Sequence, residues 1–411
     1  MPLCEVSKGC LRYEARAVSS DSVVKKASSS PVLLAIVLAC LLAAGFLQPA
    51  PPGQRAGHAA AAASLRNAPP LVVFTTVALG GLSGVVVDIL WVRAEYLKEL
   101  GDYVEIAQLS DWITKLEPRL PEVWDYHSLN LAYNISSMCA DPADRRRWVY
   151  GGIRLLRDEA LVFNPDNAVL YDRLCRIYMH KFIEQTDPAH DYYRVAWARA
   201  MTELLGGSSA DYGEIAANLE LQRRMKDEYK LDPQLMRKID EQCGPLDWRL
   251  GASHVVYWAS RGKAVSKDPA DPGFDVIICE AMIDVFLNGR VADLQSDANV
   301  LQTGAYFNIV PKVQVAFESR IREHGLSFDG DSPLRNMYAY FLRRAILVSQ
   351  ENGRGEIALS LFDTLKDRLH DPECKMPFEE YYAKLKAAPD LQKQVEEIKT
   401  RMLREQYRDD D

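Results

Sequence analysis

The feature that most constrains this chain is the regular interruption of a helical pattern by proline and glycine. From about residue 84 onward, apolar residues recur every three or four positions, as in Leu90, Ala94 and Leu97, which is the spacing of one helix face. Ten breaks divide the pattern: Glu117-Pro118, Asp141-Pro142, Asn164-Pro165, Asp187-Pro188, Leu231-Asp232-Pro233, Gly244-Pro245, Pro269 to Gly273, Asp331-Ser332-Pro333, Asn352-Gly353 and Asp371-Pro372. Several place Asp or Ser next to Pro, an arrangement typical of a helix start. The sequence therefore predicts an all-α body of antiparallel helices joined by short turns.

Charge is divided unevenly along the 411 residues. Residues 1–70 hold seven basic and three acidic side chains, a net of +4, whereas the whole chain carries −8, so the remainder carries −12. A nucleic-acid binder needs cations to neutralise phosphates, and an acidic body therefore argues against that class. The eight cysteines include no C-x-x-C pair, which favours free thiols over a zinc site or a disulfide framework.

The N-terminal segment predicts an attachment to a membrane. Residues 31–48 are almost wholly apolar and follow Lys25 and Lys26, so we expect a transmembrane anchor behind a basic cytoplasmic segment, residues 1–30. A cleaved signal peptide is the alternative, because the Ala-rich run 59–64 supplies small residues suited to cleavage. Residues 49–70, rich in Pro and Ala, are predicted to be a linker.

A second apolar stretch, Leu71 to Trp91, has spanning length but contains Asp88 and leads into Arg93 and Glu95. A carboxylate in a lipid-facing helix is unfavourable by a few kcal/mol. We expect this stretch to be a buried or membrane-skimming helix that begins the folded body, which would then lie on the periplasmic side. If the stretch spans instead, the body is cytoplasmic.

Two of the breaks carry a recurring set of residues. Six, nine, ten and thirteen residues after Pro165 stand Tyr171, Leu174, Cys175 and Tyr178, and six residues after Pro118 stands Trp124. The first set resembles the junction between two tetratricopeptide repeats, where an aromatic, a Leu, a small residue and a Tyr occupy those positions. The resemblance implies an α-solenoid of helical hairpins and a protein-binding role. The two prolines are 47 residues apart, whereas the repeat length of that family is 34 residues.

The first part of the body also resembles a group of membrane-anchored, repeat-bearing bacterial proteins to which no activity is assigned. The shared sequence segments are Ala78-Leu79-Gly80-Gly81, Asp88-Ile89-Leu90-Trp91-Val92-Arg93-Ala94, Gln108-Leu109-Ser110-Asp111-Trp112-Ile113 and Leu246-Asp247-Trp248-Arg249. This resemblance implies a bacterial cell envelope and no particular chemistry.

Candidate partner-binding residues fall in two places. Trp248, Arg249, Tyr257 and Trp258 would anchor a peptide if they line the concave surface of a solenoid, whereas a helix start at Asp247 stapled by Trp248 is the structural alternative. The run Arg145, Arg146 and Arg147 would bind an acidic partner or lipid headgroups, whereas a charged first turn of a helix with Asp144 near its N-cap is the favoured structural alternative. One cluster has side chains that could form a surface metal site: His180, Asp187, His190 and Asp191. We favour a solvated loop over a metal site there. We expect no metal, cofactor or catalytic residue.

We therefore expect a membrane-anchored scaffold or assembly factor of the bacterial inner membrane, not an enzyme, that binds protein partners. The expected body has a first helical repeat region, residues 71–245, and a second, residues 246–411, which ends in a C-terminal helix. An all-α envelope enzyme that acts on glycans through carboxylates, or an accessory subunit of a transport complex, are the alternatives. The sequence predicts no oligomeric state.

Overall fold

The computed structural model describes residues 83–207, 210–292, 294 and 300–388. The predictions for residues 1–30, 31–48 and 49–70, and for the C-terminal helix after residue 390, lie outside the described residues. Within the described part of the chain, no helix combines the length and the apolar character needed to cross a membrane.

The chain divides into two units, residues 1–89 and 90–411. In the first unit the described residues are the opening turns of helix α1 (Ser83–Leu100), where Val87 is buried and Ile89 is exposed. Asp88, considered above as a buried carboxylate, is also exposed.

The second unit is built from helices, in agreement with the predicted all-α class. After α1 come α2 (Tyr103–Leu116), α3 (Pro121–Leu129), α4 (Pro142–Arg154), α5 (Ala168–Tyr178), α6 (His190–Leu205), α7 (Tyr212–Ala217), α8 (Leu219–Tyr229) and α9 (Pro233–Cys243). They are followed by α10 (Gly251–Val265), α11 (Gly273–Asn288), α12 (Val310–Glu323), α13 (Pro333–Glu351), α14 (Gly355–Arg368) and α15 (Phe378–Ala387), with 3₁₀ turns at Phe307–Ile309 and Pro372–Lys375. The strands described are two residues each, β1 (Arg290–Val291) and β2 (Thr303–Gly304), paired antiparallel.

Three consecutive helices continue into π-helical segments. α3 passes into Asn130–Ile135 and a last turn, Ser136–Met138; α4 passes into Leu155–Ala160 and a last turn, Leu161–Phe163; α5 ends in Met179–Ile183. A π segment turns the following side chains relative to a regular helix, and such segments are frequent at functional sites. Nothing in the sequence predicted them.

The predicted breaks all fall between helices or at their ends. Asp232 and Ser332 act as N-caps, with side chains that accept hydrogen bonds from backbone N–H groups of the first turn, and Pro233 and Pro333 follow them at the first helical position. Asp141 and Pro142 also stand at a helix start, although the Asp141 side chain makes no capping hydrogen bond.

One hydrophobic core cluster extends from Trp124 to Leu385. Within it α10 packs on α5 and on α11, so helices pack across the boundary predicted between residues 245 and 246. Gly262 allows α10 and α11 to approach closely, because a Cβ at this position would lie 2.2 Å from Cε1 of Phe274.

Candidate functional site

The predicted aromatic site lies in the core. Trp248 and Tyr257 are 0% exposed, Trp258 is 1% exposed and Arg249 is 7% exposed. The predicted location of these four side chains on an exposed concave surface is therefore wrong. For Tyr257 and Trp258 the cause is the packing of α10 between α5 and α11, which buries ten of its fifteen residues, and Trp248 and Arg249 lie in the turn before that helix.

Internal partners also occupy the polar atoms of this group. The guanidinium of Arg249 donates to both carboxylate oxygens of Asp247, at 2.9 and 2.7 Å for the closest pairs. The indole Nε1 of Trp248 donates to Asp240 Oδ2 at 3.2 Å, and the hydroxyl of Tyr257 donates to the Lys230 carbonyl at 3.1 Å. Trp248 and Arg249 thus fix the turn between α9 and α10, and Tyr257 links α10 to the end of α8. Helix α10 itself is capped at Leu250, so Asp247 orders the turn before it and is not its N-cap.

The arginine run at the start of α4 is split between interior and surface. Arg145 points inward, its Nε lying 3.7 Å from Asp187 Oδ1, and its side chain is 14% exposed. Arg146 lies 5.6 Å from the ring centroids of both Tyr150 and Tyr192. Arg147 is exposed, and Arg154, seven residues further on, is exposed as well. Residues seven apart lie on one helix face, so a basic strip remains at the surface without Arg145.

Arg145 belongs to a buried polar group that we call the Asp187 cluster: Arg145, Lys181, Asp187 and Tyr193. Lys181 Nζ donates to Asp187 Oδ2 at 2.8 Å, and the hydroxyl of Tyr193 donates to Oδ1 at 3.2 Å. The backbone N–H of Ala189 also donates to Oδ1, at 3.0 Å. One carboxylate thus joins α4, the end of α5 and the start of α6.

The environment of the Asp187 cluster favours its charged carboxylate. Burial alone would raise the pKa of Asp187, but the hydrogen bonds from Lys181 and Ala189 hold this pKa below its ordinary value. Burial lowers the pKa of Lys181, and the hydrogen bond to Asp187 partly offsets that effect. His190, buried at the first position of α6, has a lowered pKa because burial disfavours its charged form and Arg194 lies near.

A second contact joins two of the π segments beside this cluster. The hydroxyl of Tyr133 and Nδ1 of His180 are hydrogen-bonded at 2.8 Å, and Lys181 Nζ lies 4.7 Å from the Tyr133 ring centroid. Tyr133 is in the π segment after α3, and His180 and Lys181 are in the one after α5. His180 and Asp187, considered above as metal ligands, therefore bond to Tyr133 and Lys181, and Asp191 is exposed.

A second buried carboxylate, which the sequence did not single out, lies at the start of α11. Asp275 is 1% exposed and its oxygens contact Lys263 Nζ at 2.7 Å, Arg320 Nε at 2.8 Å and His324 Nε2 at 2.9 Å. Burial would raise the pKa of Asp275, but the hydrogen bonds from Lys263 and His324 hold it below its ordinary value. This Asp275 cluster joins α10, α11 and α12.

Both clusters have the chemistry of internal links. Each presents one carboxylate whose oxygens are directed at cations of neighbouring helices, a buried arrangement that depends on every member for its stability. The sequence does carry one signal for Asp275. It is a carboxylate in the first turn of a strongly apolar helix, and a buried carboxylate needs a charged or hydrogen-bonding partner. Its partners Arg320 and His324 are 45 and 49 residues away and have no such signal.

The comparisons with known proteins add no relative. No family model, no curated protein and no solved structure matches this chain. The resemblances to tetratricopeptide repeats and to the membrane-anchored bacterial group thus stay predictions.

Proposed function

We propose that this protein is a membrane-anchored scaffold of the bacterial inner membrane whose helical hairpins stack as a tetratricopeptide-like solenoid and bind another protein. The proposal places the body on the periplasmic side, beyond an anchor at residues 31–48. An enzyme acting on glycans and a transport subunit stay alternatives.

The observation that carries the proposal is a hydrogen bond made twice, once at the junction of α2 and α3 and once at the junction of α4 and α5. Trp124 Nε1 donates to the carbonyl of Pro118 at 2.9 Å, and the hydroxyl of Tyr171 donates to the carbonyl of Pro165 at 3.0 Å. In both cases the aromatic stands six residues after the proline. Two junctions with the same internal bond support the reading of these hairpins as equivalent units.

The two junctions also contact each other. Asn164 Nδ2 donates to the same Pro118 carbonyl at 2.9 Å, and the rings of Phe163 and Trp124 stack at 6.1 Å. Stacking of equivalent units on their neighbours is what builds the extended binding surface of a repeat protein. The buried Asp187 and Asp275 clusters add support, because they link consecutive helices.

For the partner-binding surface we propose the exposed basic strip of Arg147 and Arg154. The two residues are about 10 Å apart along the helix at 1.5 Å per residue. Guanidinium groups bind carboxylates in a planar, bidentate manner, so an acidic protein surface is the fitting partner. Its charge would favour association most at low salt.

Photo-crosslinking in intact membranes tests the proposal. A photoreactive amino acid replaces Asp144, an exposed residue one helical turn before Arg147, so that both arginines are kept in the full chain. The matched control replaces Arg223, an exposed arginine on α8 whose side chain is 74% exposed. The proposal predicts one discrete protein adduct at position 144 that is absent at position 223 and is reduced by an added Arg154→Glu substitution. The same adduct pattern at both positions, or no protein adduct at position 144, would contradict it.

A further inference from the structure

The exposed acidic residues of α1 lie on one line along the helix. The line consists of Asp88, Val92, Glu95 and Glu99, all of them exposed, and we call it the α1 acidic line. Steps of four, three and four residues keep successive side chains on one side of an α-helix. Glu95 contacts Lys98 at 3.6 Å, whereas neither Asp88 nor Glu99 forms an ion pair within the described residues. The line thus presents carboxylates to solvent, with Val92, 71% exposed, between two of them.

The basic strip of α4 has the same spacing and the opposite charge. Arg147, Gly151 and Arg154 follow each other in steps of four and three residues. The first three members of the α1 acidic line follow each other in the same steps, so the charged residues at the two ends are about 10 Å apart on either helix. Gly151 has no side chain, and the surface of α4 is therefore low between the two arginines.

The arginines of the strip have no acidic partner of their own. A usual surface arrangement is that of Arg223, which pairs with Asp227 four residues further along the same helix. Within the described part of the chain the strip has no such pair, because Asp158, four residues after Arg154, is bound by Arg157 through two hydrogen bonds. A carboxylate from another molecule therefore fits the strip.

The two surfaces fit one another when two copies of the chain meet with α1 of one copy antiparallel to α4 of the other. Three pairs of opposite charge then face each other at the same intervals along the helices: Asp88 with Arg154, Glu95 with Arg147, and Lys98 with Asp144. Val92 lies between the first two pairs and faces the low surface at Gly151. An exposed apolar side chain is thus buried as the charges are paired.

We propose that a second copy of this chain is the acidic partner of the α4 strip and that it docks through its α1 acidic line. The inference rests on the proposed function, because it names the partner of the same strip. The contact joins two different surfaces, so that copies either close into a ring or continue as a chain. One pair of helices buries less than the ~800 Å² per partner of a standard interface, so the self-association is weak and decreases with salt.

Charge reversal and its rescue test this contact. Analytical ultracentrifugation of the full chain in detergent measures self-association at low and at high salt. Asp88→Arg with Glu95→Arg reverses the α1 acidic line, and Arg147→Glu with Arg154→Glu reverses the strip. Each pair of substitutions should weaken self-association at low salt at least about tenfold. The chain that carries all four should recover it to within about threefold of the wild-type value, because its charges are again complementary.

The matched control reverses Arg223 and Arg237, two exposed arginines with partners of their own, and should leave self-association unchanged. Rescue in the fourfold variant also shows that the losses do not come from misfolding. The inference is overturned if the wild-type chain does not self-associate at low salt, if either reversal leaves self-association unchanged, or if the fourfold variant stays as weak as its parents.

The adduct formed from position 144 in membranes separates this inference from the proposed function. An adduct between two copies of the chain, linked to α1 of the second copy, supports the inference. A single adduct with a different protein overturns the inference and keeps the proposed function. Charge rescue in detergent without any protein adduct in membranes would contradict the proposed function alone.

Discussion

Lys181 Nζ and Asp187 Oδ2 are 2.8 Å apart across the turn that joins α5 to α6, and their side chains are 8% and 5% exposed. An ion pair buried to this degree must be complete to be tolerated, because either member alone is a desolvated charge. The pair thus makes the geometry of that turn depend on two charged residues six positions apart.

Lys181→Met tests this dependence by leaving Asp187 with Arg145, Tyr193 and the Ala189 N–H. We expect the free energy of unfolding to fall by about 3 kcal/mol, as for a broken buried pair. Urea denaturation of the full chain in detergent measures it. The control is Arg237→Met, which breaks an exposed pair with Glu241 and should change stability by less than about 1 kcal/mol. Equal losses in the two variants would refute the structural role of the pair.

Asp275→Asn tests the second cluster. The substitution keeps the shape of the side chain but leaves Arg320 and His324 without their countercharge and Lys263 with Glu323 alone, so we expect a loss of about 3–5 kcal/mol. Asp329→Asn is a suitable control, because Asp329 pairs with His370 in a contact where both side chains are 66% exposed. A melting temperature unchanged in Asp275→Asn would show that the cluster contributes nothing to stability.

Acidification should destabilise the fold in a defined window. Burial lowers the pKa of His127 and of His254 to about 4, against 6.5 for the ordinary side chain, so the folded state keeps both rings neutral. The unfolded chain binds protons first as pH falls, so stability is complete above pH 6.5 and decreases toward pH 4, by about 3 kcal/mol per histidine at 1.36 kcal/mol per pKa unit.

Thermal melting of the full chain between pH 4 and pH 8 measures this effect. His127→Gln should flatten the curve between pH 6.5 and pH 4 relative to the wild-type chain. A curve of the same slope in both proteins would exclude His127 as a source of the pH dependence of stability. The depressed pKa values of Asp187 and Asp275 act in the same direction at lower pH, because their protonation removes the ion pairs.

Gly262→Ala tests the close approach of α10 and α11. The added Cβ would lie 2.2 Å from Cε1 and 2.4 Å from Cζ of Phe274, so either the Phe274 ring or one of the two helices must shift, and we expect a loss of about 1–3 kcal/mol. Gly84→Ala, in α1, has open space around it and should be neutral or stabilising. If the urea midpoints of both variants shift in the same direction by similar amounts, the close approach of α10 and α11 at Gly262 is contradicted.

The helices were predictable because their signals are local. Pro142, Pro233 and Pro333 stand at helix starts, next to the Asp or Ser that marks these starts in the sequence. The burial of Tyr257 was also readable, since residues 251–259 of α10 are all apolar or small except His254, a pattern typical of a buried helix.

The links between helices were not predictable in the same way. Asp275 and Arg320 are 45 residues apart, and only the packing of α11 on α12 brings them together. The three π segments likewise have no sequence signal, because each adds one residue to a helical turn that its neighbours must accommodate. Arg145 and Arg147, two residues apart in one basic run, point to the interior and to solvent because Asp187 lies on one side of α4.

The most direct test of the scaffold proposal uses the partner that crosslinking identifies. It measures how much of this partner is recovered, without a crosslinker, with the full chain after a surface substitution. Arg147→Glu is compared with Arg223→Glu, which reverses the same charge at another exposed position. Recovery from membranes at low salt should fall at least about tenfold for Arg147→Glu, the equivalent of about 1.4 kcal/mol, and stay unchanged for Arg223→Glu, with both melting temperatures at the wild-type value. Equal recovery in the two variants would contradict the proposed partner surface.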